Sequence, residues 1–316
     1  RHGRNRGHFA QFGRRVSMIK NVAIIGLGLL GGSVGLAAAQ HSPGIVTTGY
    51  DADDDVRAAA AKRALVGTVC DSLADAVRDA DLVVLCVPVG AMRSAAEGLK
   101  GLLKEGAIVS DVGSSKQSVL DDLTAALPGH TIIPAHPVAG TEESGPQAGF
   151  PSLFEGRWCI LTPPDGADEE AVAALTAFWQ GLGAKTEIME AAHHDLVLAV
   201  TSHIPHLIAF TIVGTASDLE DVTRSEVIKY SAGGFRDFTR IAASDPVMWR
   251  DVFLQNKGAV LEMLGRFTED LTAMQRAIRS GDGATLEELF ERTRTIRRSI
   301  IEQGQDDAAP DFGRDH

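Results

Sequence analysis

Six residues near the start of the chain follow the pattern G-x-G-x-x-G, from Gly26 to Gly31. The pattern follows a short apolar run and opens a predicted helix, and an acidic residue, Asp51, lies 20 positions beyond Gly31. This context predicts a dinucleotide site, because the glycines permit a tight turn and bring backbone N–H groups of a helix N-terminus to a pyrophosphate. A purely structural glycine turn is the alternative that this context disfavours. The predicted cofactor contacts are Gly26, Leu27, Gly28, Leu29, Leu30, Gly31, Asp51, Val87 and Pro88.

The acidic residue indicates which dinucleotide binds. Asp51 is expected to accept hydrogen bonds from the adenosine ribose hydroxyls. Further acids follow at Asp53–Asp55, and no cation occurs before Arg57. A 2′-phosphate there would meet unscreened like charge, so we predict NAD and not NADP. The acids at Asp53–Asp55 also fit the N-cap and solvated first turn of the next helix.

Two polar clusters follow later apolar runs, at Ser110–Lys116 and His136–Glu142. Ligands of open α/β sheets bind outside the carboxyl ends of the strands, which predicts Ser114 and His136 beside the nicotinamide ring. Hydride removal from an alcohol carbon needs a group that takes the hydroxyl proton, and histidine suits that role. The serine hydroxyl would share the hydrogen bond and orient the group. The alternative is that His136 is a loop histidine before a proline, without a chemical role.

The strands and helices that position these residues are predicted from the alternation of β-rich runs and helical patterns in the sequence. The apolar runs are nearly continuous, which is typical of parallel strands covered on both faces. We predict an α/β fold with a Rossmann-type doubly wound parallel sheet. Trp158–Thr162, Glu169–Gln180 and Lys185–Met189 are expected to close the same layer. The earlier predicted elements are Val22–Ile25, Ser33–Gln40, Val46–Tyr50, Asp54–Arg63, Leu82–Val87, Ala107–Ser110 and Thr131–Pro134.

Beyond about residue 190 the strand pattern stops and helical patterns follow. Their apolar stripes are wider than one small domain needs, which favours burial against a second subunit. The predicted helices are Ala191–Thr215, Ser225–Ala243, Val247–Arg279 and Ala284–Gln303. We expect a leader or tag over 1–17, a dinucleotide-binding domain over 18–189, an all-helical C-terminal dimerisation domain over 190–303 and a disordered tail over 304–316. The substrate is expected in the cleft between the two domains.

Composition excludes several classes of function. The chain of 316 residues holds 42 acidic and 30 basic residues, and six of the basic ones lie in residues 1–20. The acidic remainder disfavours nucleic-acid binding, which needs a basic surface. Three cysteines are too few for a disulfide framework or a zinc site, and an odd count suits a reducing cytoplasm. No uninterrupted apolar stretch of 18 residues occurs, so we expect no membrane span.

The ordered motifs of the chain resemble those of the prephenate and arogenate dehydrogenases of tyrosine biosynthesis, over residues 18–303. The glycine motif is generic, whereas the other four in this order are specific. The motifs are GLGLLGGS at Gly26–Ser33, DVGSSK at Asp111–Lys116, HPVAGTEESG at His136–Gly145, SHIPH at Ser202–His206 and GGFRDFTRIAASDPVMW at Gly233–Trp249. The resemblance implies oxidative decarboxylation of prephenate to 4-hydroxyphenylpyruvate: hydride passes to NAD, the ring carboxylate leaves as carbon dioxide, and the ring becomes aromatic. Arogenate is the alternative substrate.

Roles for single residues also follow from the resemblance. The histidine of HP-x-AG, here His136, would bind the ring hydroxyl and assist its deprotonation, and Ser114 would assist it. Arg240 would hold a substrate carboxylate, and a guanidinium is the expected anchor for a dianion in an acidic protein. The other residues implied to line or gate the substrate site are Ser202, His203, His206, Lys116, Glu142, Arg236, Asp237 and Trp249.

Plainer interpretations stay open for several of these residues. Arg240 fits a surface helix arginine, Lys116 an exposed lysine and Trp249 a core residue. His203 and His206 lie three apart on a helix that a proline is expected to kink, and they lack a third ligand, so we expect no metal.

Two rival functions also remain. A 3-hydroxyacid or imine-reducing dehydrogenase pairs such a fold with a helical second domain, but it relies on a lysine or another residue of the helical region. A NAD-sensing protein without catalysis is the second rival. The retained hydrogen-bonding set of Ser114, His136 and Arg240 speaks against it.

Overall fold

The computed structural model describes residues 19–141, 143–223 and 233–302. The predicted leader and tail therefore lie outside the described residues, as do Glu142 and the first part of the predicted helix Ser225–Ala243.

Contacts divide the chain into two compact units. Unit 1 comprises Arg1–Gly140 with Ser144–His194, and unit 2 comprises Thr141–Glu143 with Asp195–His316. The division between them falls after His194, inside a helix that begins at Ala191.

Unit 1 is built on a six-stranded parallel sheet in the order β3-β2-β1-β4-β5-β6. This is the strand order of a doubly wound dinucleotide fold, as predicted. The central strands are apolar because both faces are covered, and Ile24 and Val84 have no solvent exposure. The strands are Asn21–Ile25 (β1), Val46–Tyr50 (β2), Thr68–Val69 (β3), Leu82–Leu85 (β4), Ile108–Asp111 (β5) and Thr131–Ile132 (β6), and the helices are Leu29–His41 (α1), Asp54–Arg63 (α2), Leu73–Val77 (α3), Met92–Gly98 (α4) and Gln117–Ala126 (α5).

The strands expected to close this layer form a second sheet instead. Its order is β7-β8-β9, with β7 antiparallel to β8 and β8 parallel to β9. The chain leaves the first sheet after Ile133, and Pro134, which has no N–H to donate, accepts a hydrogen bond from Thr162 N at 2.9 Å. His136 therefore lies on a strand, opposite Ile160, and not in a loop. The elements are Ala135–Pro137 (β7), Trp158–Leu161 (β8), Glu169–Gly181 (α6) and Lys185–Ile188 (β9).

The described residues after β9 are helical. One predicted helix, Val247–Arg279, is two helices, because the backbone of Asn256 (φ −101°, ψ 31°) leaves the helical region. The described part of Ser225–Ala243 is a short helix that ends in a 3-10 turn at Arg240–Ala243. The helices are Ala191–Leu198 (α7), Ile204–Thr223 (α8), Gly233–Thr239 (α9), Pro246–Gln255 (α10), Lys257–Ser280 (α11) and Gly283–Glu302 (α12).

A π-helical turn, Ala199–His203, joins α7 to α8. Pro205 lies two residues beyond it and removes one backbone donor from the helical ladder. A π turn is one of the local adjustments by which a helix accommodates such a defect, and such turns are frequent at functional sites. The predicted disturbance at Pro205 is thus a change of helical pitch next to Ser202 and His203.

The continuous helix Ala191–Asp218 is long and apolar enough to cross a membrane by length and composition. The expectation of no membrane span considered only uninterrupted apolar runs. It did not consider the mean hydropathy of a helix that also contains polar residues, which is 1.9 here. Length and composition do not separate a membrane span from a core helix, and 28% of the most apolar window is buried in the protein. Ala199 and Ile204 of this helical segment pack with Val260 in the core of unit 2.

We predict that Gly31→Ala destabilises unit 1, because a Cβ there would lie 1.9 Å from the backbone oxygen of Gly26. The loss should be roughly 3 kcal/mol, at the upper end of overpacking effects. The control is Gly28→Ala, whose Cβ meets nothing within 4 Å. It should cost less than about 1 kcal/mol. Urea unfolding measures both free energies of unfolding. Equal losses in the two variants would contradict the close backbone contact at Gly31.

Candidate active site

The glycine loop of unit 1 has the shape that a pyrophosphate requires. Gly26 has a φ of +96°, and a Cβ on it would lie 2.5 Å from the carbonyl oxygen of Cys86, so only glycine fits. Gly28 is the N-cap of α1 and makes no side-chain cap. The first N–H groups of α1 therefore face open space beside Gly28, where backbone can approach a ligand. The three leucines of the motif serve packing, since Leu27 is fully buried and Leu29 and Leu30 pack on the core.

Asp51 lies at the end of β2 and is tied to the glycine loop. Its Oδ2 accepts a hydrogen bond from Leu27 N at 2.8 Å, and its Oδ1 accepts one from Asp53 N at 3.0 Å. Each carboxylate oxygen has a second lone pair, so the group can also accept from ribose hydroxyls. These residues fit the adenosine half of a dinucleotide.

A cation does lie close to Asp51, which the sequence argument for NAD did not foresee. The Arg57 guanidinium folds back from α2, donates to the backbone oxygen of Asp51 at 2.7 Å and lies 5.5 Å from the centre of the Tyr50 ring. It also pairs with Asp54. The prediction of NAD therefore rests on the Asp51 carboxylate and not on the lack of a nearby cation.

Val87 and Pro88 follow β4 at the carboxyl edge of the sheet. Val87 is half-buried and Pro88 exposed. The contact that we predicted between this pair and the cofactor stays a prediction.

Lys116 is fully buried, so its interpretation as an exposed lysine is wrong. Its ammonium pairs with the Asp111 carboxylate and donates to the backbone oxygen of Ala135 at 2.8 Å. Burial raises the pKa of Asp111, against the opposing effects of Lys116 and of backbone donors from Gly113 and Ala135. These contacts give Lys116 partners inside the protein, and the place in the substrate site that the resemblance implied for it stays a prediction.

His136 is buried on β7, and its Nδ1 lies 2.8 Å from Nε2 of His194. The ring centroids are 5.0 Å apart and the planes meet at 72°. One of the two nitrogens must donate the proton of this contact, so the tautomers of the two rings are linked. Ser114 is half-buried, three residues beyond the end of β5.

In unit 2, His206 and Trp249 form a stacked pair, with ring centroids 3.7 Å apart and an interplanar angle of 24°. Because a carbonyl only accepts, His206 Nδ1 donates its proton to the Ser202 backbone oxygen at 2.8 Å. Burial lowers the pKa of His206, the Ser202 hydrogen bond opposes this, and the Arg240 charge lowers it further. His206 is therefore neutral at pH 7, with Nε2 as an acceptor. The described residues hold no cluster of three metal-binding side chains.

His203 is fully buried and contacts Asn256, which sequence reasoning missed. Nδ2 of Asn256 lies 3.1 Å from His203 Nδ1 and donates to the Asp195 backbone oxygen at 2.8 Å. The sequence signal was available, since an asparagine interrupts a long helical pattern.

The polar gate implied by the resemblance stays a prediction. Arg236 and Asp237 are exposed on the short helix α9, and Glu142 lies outside the described residues. His194 is a second residue that sequence reasoning missed. Its signal was a histidine pair, His193 and His194, near the start of the helix that follows the last strand.

Family models match almost the whole of the region described above. The model for the prephenate dehydrogenase nucleotide-binding domain matches residues 34–188, and that for the prephenate dehydrogenase dimerization domain matches residues 190–292. The chain belongs to the prephenate dehydrogenase family. As a member it is an oxidoreductase of a family that serves tyrosine biosynthesis, with a Rossmann-type domain and a dimerization domain.

Individual members of the prephenate dehydrogenase family cover the chain well. Cyclohexadienyl dehydrogenase of Zymomonas mobilis is 43% identical over 90% of this chain and 97% of its own length. Prephenate dehydrogenase of Bacillus subtilis is 34% identical over 90% of this chain and 76% of its own. The crystal structure of prephenate dehydrogenase from Aquifex aeolicus, in complex with hydroxyphenyl propionate and NAD+, has a TM-score of 0.83 and 34% identity over 90% of this chain and 99% of that one. Synechocystis arogenate dehydrogenase has a TM-score of 0.76 and 25% identity over 89% and 99%.

We predict that Arg240→Gln raises the pKa of His206, because the variant removes a positive charge that disfavours the imidazolium. NMR titration of the His206 ring measures the change. The control is Arg266→Gln, which removes an exposed arginine charge that is not among the causes of the His206 shift. An unchanged or lower His206 pKa in Arg240→Gln would contradict the electrostatic link.

Proposed function

We propose that the protein catalyses the oxidative decarboxylation of prephenate to 4-hydroxyphenylpyruvate with NAD. The observation that carries the proposal is the buried His136, held through Nδ1 by His194 in the unit that bears the glycine loop. A histidine fixed at one nitrogen presents the other in a defined direction, as a general base must. The family match supports the reaction class.

The residues of unit 1 have distinct tasks in this proposal. NAD, when bound, supplies the hydride acceptor. His136 takes the proton of the ring hydroxyl on Nε2, and for this its Nδ1 must donate to Nε2 of His194. Ser114 shares the hydrogen bond of the same hydroxyl. Loss of that proton drives electrons toward the carbon that gives up the hydride. The carboxylate then leaves as carbon dioxide, the electrons of its bond complete the aromatic ring, and His136 returns the proton to the ring oxygen.

The residues of unit 2 recognise the rest of the substrate. Arg240 holds a carboxylate, since a guanidinium binds such a group through two parallel hydrogen bonds. Ser202, His203, His206 and Trp249 line the substrate, and Arg236 and Glu142 act at its entry. The neutral His206 offers an acceptor at Nε2 and no second positive charge.

Arogenate is the second candidate substrate, and one observation favours it. An acceptor at His206 Nε2 matches the ammonium of the arogenate side chain better than the keto oxygen of prephenate. The name of the Zymomonas relative, cyclohexadienyl dehydrogenase, leaves the side chain open.

We propose a cytoplasmic homodimer formed through the helical region. Apolar side chains are exposed along α11 and α12, among them Leu261, Ile278 and Phe290, each more than half exposed. Exposed apolar patches of this kind mark interfaces, and the match to a dimerization domain supports a second copy as the partner.

We predict that the purified protein forms NADH, followed at 340 nm, when prephenate or arogenate is supplied with NAD. The ratio of the two kcat/KM values names the substrate, and a parallel series with NADP tests the role of Asp51. His136→Asn should fold and bind NAD but lose at least about a hundredfold in kcat. Near-normal turnover in that variant would remove His136 as the base. Failure of the wild type on both substrates, with NAD bound, would contradict the proposed function.

We predict that His194→Leu lowers kcat by about a hundredfold with little change in KM, because His136 loses the acceptor of its Nδ1 proton. His194→Gln keeps a polar atom near the position of Nε2 and should stay within about tenfold of wild type. The exposed neighbour provides the control, and His193→Leu should leave kcat unchanged. Equal kcat values for the Leu and Gln variants at position 194 would contradict this positioning role.

A further inference from the structure

The Asp111–Lys116 pair is fully buried at the carboxyl edge of the parallel sheet. Besides contacting each other, both charged groups make hydrogen bonds with the backbone. Asp111 Oδ2 accepts from Gly113 N at 2.6 Å, its Oδ1 accepts from Ala135 N at 3.2 Å, and Lys116 Nζ donates to the oxygen of Ala135 at 2.8 Å. The pair therefore connects the loop after β5 to strand β7.

The contacted residues are the ones that directly precede Ser114 and His136 in the chain. Gly113 is held through its N–H, one residue before Ser114. Ala135 is held through both its N–H and its C=O, and that C=O belongs to the same planar peptide group as the N–H of His136. One buried ion pair thus fixes the backbone on which both side chains are mounted.

Two local features show that the ion pair determines which residues stand at positions 113 and 116. Lys116 is the N-cap of α5, the end of a helix where a positive charge is unfavourable and where Ser, Thr, Asp or Asn is preferred. At Gly113 an added Cβ would lie 2.9 Å from Asp111 Oδ2 and 2.7 Å from Cγ1 of Val89, so the carboxylate occupies the space of a side chain. The D-x-G and K of the DVGSSK motif are thus explained by this one carboxylate.

We propose that Asp111 and Lys116 are positioning residues that hold Ser114 and His136 in the geometry for proton transfer, an inference that rests on the proposed function. Neither residue touches the substrate in this role. A displacement of a general base by about 1 Å can cost a hundredfold in rate. Loss of the pair should therefore act on kcat and spare the binding of cofactor and substrate.

The test uses Asp111→Asn combined with Lys116→Met, since removal of one partner alone would leave an uncompensated buried charge. The expected result is a fall in kcat of about a hundredfold, with KM and the Kd for NAD within about threefold of wild type. A folded double variant with kcat within threefold of wild type would overturn the proposal.

The chain offers a control at the opposite edge of the same sheet, in an ion pair that also contacts backbone but is partly exposed. Asp81, just before β4, accepts from the backbone N–H groups of Lys20 and Asn21 at 2.9 and 2.8 Å and pairs with Lys104 at 2.5 Å. Asp81→Asn with Lys104→Met also removes an ion pair that ties backbone, so it should lower Tm with kcat unchanged. If kcat falls equally in the two double variants, the effect is general loss of structure and the proposal is wrong.

Hydrogen exchange of the wild type gives a decision that needs neither activity nor a folded variant. The amides of Gly113 and Ala135 should exchange as slowly as that of Val84 in the central strand β4, through global unfolding alone. Exchange of either amide more than about a hundredfold faster than Val84 would show that the pair does not hold the backbone, and would overturn the proposal. Failure of the wild type to oxidise prephenate or arogenate would instead count against the proposed function.

Discussion

A carboxylate without access to water organises the carboxyl edge of the parallel sheet. Asp111 cannot be hydrated, so its charge must be met by an ammonium and by backbone donors from the protein. That requirement draws the loop after β5 and the start of β7 toward one point. The short path of the chain from β6 to β7, and with it the location of His136, depends on this arrangement.

The parts of the fold that sequence reasoning predicted are those that local chemistry dictates. The glycine loop was found because φ at Gly26 and the space around Gly31 exclude any other residue. The central parallel strands were found because burial on both faces makes them continuously apolar, whereas the two-residue strand β3 was not predicted. The helix break at Asn256 was not predicted: the asparagine itself was a local signal for it, but its contact with Asp195, 61 positions away in the sequence, is not readable from a local pattern.

Strand partners and solvation were harder to predict for a common reason. The pattern of Trp158–Thr162 predicts a strand. Its pairing with β7 in a separate sheet depends on where the chain turns at Pro134, which the pattern does not contain. A lysine is ordinarily exposed, yet Lys116 is buried. It can be buried because the folded chain places the Asp111 carboxylate beside its ammonium. Of the candidate site, residue types were predictable from the motifs, whereas the contacts of His136 with His194 were not.

The π-helical turn at Ala199–His203 amounts to one extra residue in an otherwise α-helical ladder. Each residue of an α-helix advances the chain by about 100° around the helix axis. If the same five residues continued in α-helical geometry instead, every side chain from Ile204 onward would rotate by roughly that angle relative to α7. His206 and the stack that it forms with Trp249 thus owe their orientation to the geometry of this turn as much as to their own residue types.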